Sequence, residues 1–209
     1  DERPVETDRQ IQSVGNEETY EYDVEDPAVI DLELHYFANR VAKRLRKYGL
    51  MGHTVSIKVR YKDFKTVSRQ KRLDSSTDQE RVIYDTSVLL WNKLMRDALS
   101  AKQEEQEVMG ATPRPKFDNS ILEVPVKPIR LLGVTVSGLS TEGIVQDDLF
   151  SIGADEKDEK LSTVLDSLAS KFGEGAIMSG ALWRRAHGDG GERRKRSELK
   201  AEIDLDNEE

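Results

Sequence analysis

The chain has 209 residues, 36% of them hydrophobic and 34% charged, with a formal net charge of −8 and a mean hydropathy of −0.65. That suffices for one ordinary core with length left for a small second unit or a tail, and no apolar run approaches the roughly 20 residues of a membrane span or the pattern of a signal peptide. Cysteine is absent, which excludes disulfides, thiolate nucleophiles and cysteine metal sites and points to a reducing, cytoplasmic setting, while His35, His53 and His187 stand too far apart for a local metal-ligand spacing.

The first residue is Asp rather than Met, so the sequence reads as a segment of a longer chain, and residues 1–12, polar with Pro4, read as a linker. From Ser13 to Tyr22 the pattern ends in alternation suited to a short strand. Asp26-Pro27 supplies an N-cap followed by proline at the first helical position. Ile30, Leu34, Phe37, Val41 and Leu45 then form one apolar stripe, and Gly49 can end the helix in left-handed geometry. Val55, Ile57, Val59 and Tyr61 alternate with Thr54, Ser56, Lys58, Arg60 and Lys62, the mark of a strand with one buried face. Asp63-Phe64 reads as a tight connection into a second strand, Lys65 to Leu73, completing an antiparallel hairpin.

Thr77 and Glu80 have capping-box spacing, and Ile83, Leu90, Trp91, Leu94 and Ala98 line a second helix to about Leu99. The polar stretch from Ser100 to about Asn119, with Pro113 and Pro115, reads as a loop. Lys127 to Ser137 is the last strand, and its nearly continuous apolar character argues for a central place in the sheet. The order β-α-β-β-α-β predicts an α+β fold: a four-stranded sheet with two helices on one face. The other face stays open, with Thr, Ser, Lys and Arg looking outward.

Between His35 and Arg72 the acidic chain inverts its charge, with twelve Lys and Arg against the single carboxylate Asp63, a local net of +11. An isolated charge run is more often a solvated face. Here it coincides with strand and helix patterns, and clustered Lys and Arg hold polyanions by Coulomb attraction and counterion release.

Four of these segments resemble, in order and at suitable spacing, the C-terminal little finger domain of Y-family translesion DNA polymerases of the DinB/UmuC type. They are Ser13-Val14-Gly15-Asn16-Glu17-Glu18-Thr19, Val41 to Leu50, Val59 to Thr66, and Pro128-Ile129-Arg130-Leu131-Leu132-Gly133-Val134. The resemblance implies a domain that is tethered to a palm, fingers and thumb core and lies along the phosphates of primer-template DNA. It also implies contacts from Ser13, Val14 and Gly15 through backbone amides, from Thr66, Ser68 and Arg69 on the hairpin, and from Arg130 on the last strand. Such contacts bind phosphate without reading base identity. With about five phosphates neutralised, binding should weaken several hundredfold over a fourfold rise in salt. The same resemblance places magnesium-binding carboxylates in a palm outside this sequence, so the chain itself is expected to be non-catalytic and to need no cofactor. Asp204-Leu205-Asp206 imitates a paired carboxylate but sits in an acidic tail.

Little finger character is expected over residues 13–139. Within the following segment, 140–183, Gln146-Asp147-Asp148-Leu149-Phe150 resembles the bacterial sliding-clamp pentapeptide, with Gln146 at a polar subsite and Leu149 and Phe150 in an apolar pocket. Asp155 to Phe172 has helical periodicity ending at Gly173, and Ala176-Ile177-Met178 suits a short extended segment. Residues 184–209, glycine-rich, then basic at Arg193-Arg194-Lys195-Arg196, then acidic, read as a disordered tail. The combined expectation is a soluble, nucleoid-associated protein whose partners are DNA, the clamp and the polymerase core. The rival reading is a clamp-binding adaptor with little DNA affinity. A sequence-specific RNA binder fits less well, because the outward positions carry hydroxyls and cations rather than stacking aromatics.

Overall fold

Strict alternation of buried and half-exposed residues from Val55 to Tyr61 divides the sheet into a dry and a wet face. The computed structural model describes residues 11–106, 122–141, 152–173, 177 and 179–187. Four strands, β1 (Ser13–Val24), β2 (Met51–Tyr61), β3 (Thr66–Thr77) and β4 (Ile129–Ser140), form one sheet in the order β1-β4-β2-β3, every neighbouring pair antiparallel. The apolar strand β4 is therefore internal, as its composition requires. Val55, Ile57 and Val59 of β2 stand opposite Val136, Val134 and Leu132 of β4, and all six are buried.

Helices α1 (Pro27–Lys47) and α2 (Glu80–Gln106) cover that face. The α1 stripe of Ile30, Leu34, Phe37, Val41 and Leu45 is fully buried, and α2 adds Ile83, Leu90, Trp91, Leu94 and Met95. Burying a side chain of this size stabilises the fold by about 1.5 to 3 kcal/mol before entropy is charged against it. Asp26 caps α1 by accepting from the Ala28 amide at 2.9 Å. Gly49, at φ +62°, ends it, and the Leu50 amide donates back to the Leu45 carbonyl. Polar pins set the helix pair: the Tyr84 hydroxyl donates to Asp31 at 2.5 Å, and Asn39 donates to Glu80 at 2.6 Å. Burial and the Asp31 carboxylate both push the Tyr84 hydroxyl well above its usual titration range. The strand-entry segment is fixed to α2 through Trp91 Nε1, which donates to the Glu123 carbonyl, and through Asn92, which accepts from the Glu123 amide.

Several expectations need correction. Residues 100–106 continue α2 rather than opening a loop, because Ala101-Lys102-Gln103-Glu104-Glu105-Gln106 is a run of good helix formers. The remainder of that loop, 107–121, lies outside the described residues. The Thr77 and Glu80 capping box does not form. Thr77 accepts instead from the Gln79 amide at 3.0 Å, a local hydroxyl turn, and Glu80 is taken by Asn39.

After β4, helix α3 (Ile152–Phe172) follows, and a further helix, α4 (Gly180–His187), takes up residues 184–187 of the expected tail. Its anchor is Arg185, which donates to Glu33 and Glu18 and lies 3.4 Å above the Tyr36 ring. Burial opposes the Arg185 charge, but the hydrogen bond and the two carboxylates more than offset it, raising its hold on the proton. Helix α3 is tied to the back of α1 through Asp166, which accepts from Arg46 at 2.5 Å. Both added helices thus engage the helical layer. Residues 1–10, 188–209 and the Gln146 to Phe150 motif lie outside the described residues; of 176–178 only Ile177 is described, as a bend.

With Glu33 side-chain exposure at 4% and Arg185 at 12%, losing the guanidinium leaves a carboxylate that the helical layer cannot solvate unless α4 lifts. Arg185→Ala should therefore undock α4 at a cost of about 2 kcal/mol, well below a fully buried pair because Glu18 is partly exposed. Amide exchange at 182–187 should accelerate roughly thirtyfold while the strands keep their protection. Unchanged exchange there would refute the anchor.

Candidate nucleic-acid interface

The register assigns each outward position to a face. Arg60, Lys58, Ser56 and Thr54 of β2 lie opposite Thr66, Ser68, Gln70 and Arg72 of β3. On their other side they face Leu131, Gly133, Thr135 and Ser137 of β4, which in turn lie opposite Thr19, Glu17, Gly15 and Ser13 of β1. Side chains at directly paired positions share a face, so these residues make up the side of the sheet away from α1 and α2. It is a field of hydroxyls crossed by cations. Arg60 Nε donates to Thr66 Oγ1 at 2.8 Å, Ser56 Oγ to the Thr135 carbonyl at 3.3 Å, and the Lys58 ammonium lies 2.9 Å from Glu17.

The sequence-predicted contacts are not all brought together. Thr66 and Ser68 are exposed on the open face. Arg69 pairs across from Ile57 and so belongs to the helix side, where it reaches Asp97 of α2 at 3.4 Å. Grouping it with Thr66 and Ser68 is corrected by the two-residue period of the strand itself. Val14 is buried, which leaves only its backbone for contact. Ser13 is exposed, and Gly15 lets β1 lie close to β4, since a Cβ there would stand 2.5 Å from Thr135 Oγ1. The Gly15 carbonyl accepts from Arg44 at 2.8 Å.

Arg130 occupies a break in register. Arg60 pairs with Leu131 and Tyr61 with Ile129, so Arg130 has no partner across and is the extra residue of a bulge, a device that re-aims a side chain. Its guanidinium lies 5.0 Å from the centre of the Phe64 ring.

The β2–β3 connection beneath it is tightly fixed. Phe64 N donates to the Tyr61 carbonyl, Tyr61 N to the Lys65 carbonyl, and Lys62 N to the Pro128 carbonyl. Asp63 accepts from the Lys65 amide at 3.1 Å and from the Lys127 ammonium at 2.5 Å. Those two donors, Lys127 first, hold the Asp63 carboxyl below its ordinary value of 3.8.

The charge island is not one surface. Lys58, Arg60 and Arg72 face outward from the open side, with Lys62 and Lys65 on the hairpin turn. Arg69 and Lys71 pair across from Ile57 and Val55 on the other side. Arg40, Lys43, Arg44 and Lys47 line α1, away from the open face. Arg60, Arg72 and Lys58 are the positions that counting charge without face assignment failed to single out, although the alternation of Lys58 and Arg60 with Ile57 and Val59 was in plain view. No group of three or more His, Asp or Glu is placed to hold a metal ion among the described residues. No described helix is long and apolar enough to cross a membrane.

Comparison with known proteins adds a family. Residues 11–149 match the impB/mucB/samB family C-terminal domain. A DNA polymerase IV from Desulfatibacillum aliphaticivorans is 34% identical over 184 residues, covering 87% of this chain and 39% of that protein. One from Streptomyces coelicolor is 32% identical over 160 residues, covering 77% and 27%. The chain thus spans well under half the length of these curated relatives. Among solved structures, a Y-family DNA polymerase chimera aligns with 65% of this chain and 30% of its own, at 17% identity and a TM-score of 0.40.

Because the Asp63 carboxyl titrates below its unfolded value, its contribution is complete above about pH 4 and is lost as pH falls through the lowered folded value. The stability gap between wild type and Asp63→Asn should be constant from neutral pH down to about pH 4 and close in stronger acid. Denaturant midpoints across that range measure it, and a gap that persists unchanged at pH 2 would contradict the ion pair.

Proposed function

Because the chain belongs to the impB/mucB/samB family of C-terminal domains, we propose that it is the little finger region of a translesion DNA polymerase and grips primer-template DNA by its phosphates. The observation that carries this reading is the uncovered sheet face, where Thr66, Ser68, Thr135 and Ser137 stand among Lys58, Arg60 and Arg72, with Arg130 at the adjoining bulge beside Phe64. Hydroxyl and guanidinium contacts to phosphate oxygens carry no base code, which suits a protein that must follow any sequence. At the β1 edge Ser13 and the amides of Val14 and Gly15 extend the same surface. Lys58 trades Glu17 for phosphate, so its net contribution is smaller than its charge suggests. Arg69, turned toward Asp97, is omitted from the grip.

The region is non-catalytic by itself. Polymerisation, and the magnesium ions that support it, belong to a palm, fingers and thumb core to which this region is tethered. Gln146, Leu149 and Phe150 engage a bacterial sliding clamp, contributing about 3 to 6 kcal/mol of apolar burial before ordering costs and so an affinity near micromolar. Tethering at both ends offsets the weakness of a phosphate-only grip by raising effective concentration. The setting is the cytoplasm, at the nucleoid.

A salt titration of binding to primer-template DNA tests the reading. With about five phosphates neutralised, by Lys58, Arg60, Arg72, Arg130 and Lys65 of the hairpin turn, log affinity should fall with log salt at a slope of about −4.5, a loss of several hundredfold over a fourfold rise. Arg60→Ala with Arg72→Ala should bring the slope to about −2.7, whereas Lys43→Ala with Lys47→Ala on α1 leaves it unchanged. Leu149→Ala with Phe150→Ala should leave the slope alone and abolish clamp capture. A flat titration would favour the clamp adaptor.

A further inference from the structure

Phe64 is out of place by the rules of folding alone. At φ +63° it is the only non-glycine residue with positive φ among the described residues. It is the last of the three residues enclosed by the Tyr61–Lys65 pair of the hairpin turn, which is closed by Phe64 N to the Tyr61 carbonyl and by Tyr61 N to the Lys65 carbonyl. Glycine is the usual occupant there, because a Cβ is crowded in left-handed geometry. An aromatic side chain could offset that strain by burial, but Phe64 is 65% exposed. What its ring does touch is Arg130, the bulge residue of β4, at 5.0 Å.

Building on the phosphate-grip reading, we propose that Phe64 is a positioning residue: its ring holds the Arg130 guanidinium by a cation–π contact at the hairpin corner of the sheet, ready for a phosphodiester. A cation–π contact suits this task. A guanidinium held over a ring surrenders none of its N–H groups to the partner that orients it, so they can still fork onto two phosphate oxygens. A carboxylate in the same place would hold the arginine by those donors. Lys62 and Lys65 flank the ring in sequence and add positive charge, while Asp63, which would repel a phosphate, is neutralised by Lys127. The strained backbone and the exposed ring thus share one explanation, a feature retained for binding at a cost in local conformation.

The test pairs binding with melting on the full chain. Phe64→Gly and Phe64→Asn both accept left-handed geometry, so each should melt at or above the wild-type temperature while binding primer-template DNA about twofold to fivefold more weakly at low salt. Phe64→Tyr should restore affinity. In an Arg130→Ala background, which lowers the salt slope by about 0.9, Phe64→Gly should cost nothing further. Unchanged affinity of Phe64→Gly beside a steep wild-type slope would overturn the positioning role alone, as would full additivity with Arg130→Ala or a failure of tyrosine to rescue. A flat wild-type slope would instead overturn the phosphate-grip reading beneath it.

Discussion

Everything in this molecule follows from the two-residue period of β2 and β3. Once Val55, Ile57 and Val59 commit to one side of the sheet, their neighbours have no choice about the other. The helical layer satisfies the apolar side. The opposite side is left as a lattice of hydroxyls and long cations whose spacing is set by the strands and not by the side chains themselves. A one-residue slip would invert the arrangement and bury Lys58 and Arg60, a far larger penalty than the hydrogen bonds of the ladder could offset.

Electrostatics sits on this scaffold in three places. The open face carries Lys58, Arg60 and Arg72, with Arg130 at the bulge beside the hairpin turn. The outer side of α1 carries Arg40, Lys43, Arg44 and Lys47, and there the chemistry differs, since Arg46 is taken by Asp166 and Arg44 by a backbone carbonyl. The β3 edge on the helix side has Arg69 engaged with Asp97. Cations already serving the fold are poor phosphate ligands, because binding must first break an existing contact. On the open face Arg60 gives one N–H to the Thr66 hydroxyl and Lys58 forms an exposed ion pair with Glu17, contacts that a phosphate replaces at small cost, and this makes one side of a chain with net charge −8 fit for a polyanion.

The α+β architecture, the central place of β4, the α1 stripe and its caps were legible in the sequence because each rests on local pattern: alternation, helical spacing, Asp26-Pro27, Gly49. The face of Arg69 was legible too, from counting residues along β3, and was missed by treating the hairpin as a single basic patch. Other features were beyond reach. The bulge that re-aims Arg130 arises from mismatch between strands far apart in sequence, and the left-handed Phe64 from a turn whose usual glycine is absent. Helix α4 was lost in a polar tail because its stability comes from Arg185 meeting Glu33 and Glu18, partners more than 150 residues away. Composition sees the polarity and not the pairing.

The most direct measurement of the central claim is a backbone amide chemical-shift map during titration with short duplex DNA at low salt. Perturbations should concentrate at Lys58, Arg60, Thr66, Ser68, Arg72, Arg130 and Thr135, with the amides of α1 from Arg40 to Lys47 silent. Perturbations centred on α1 with the open face silent would contradict the claim.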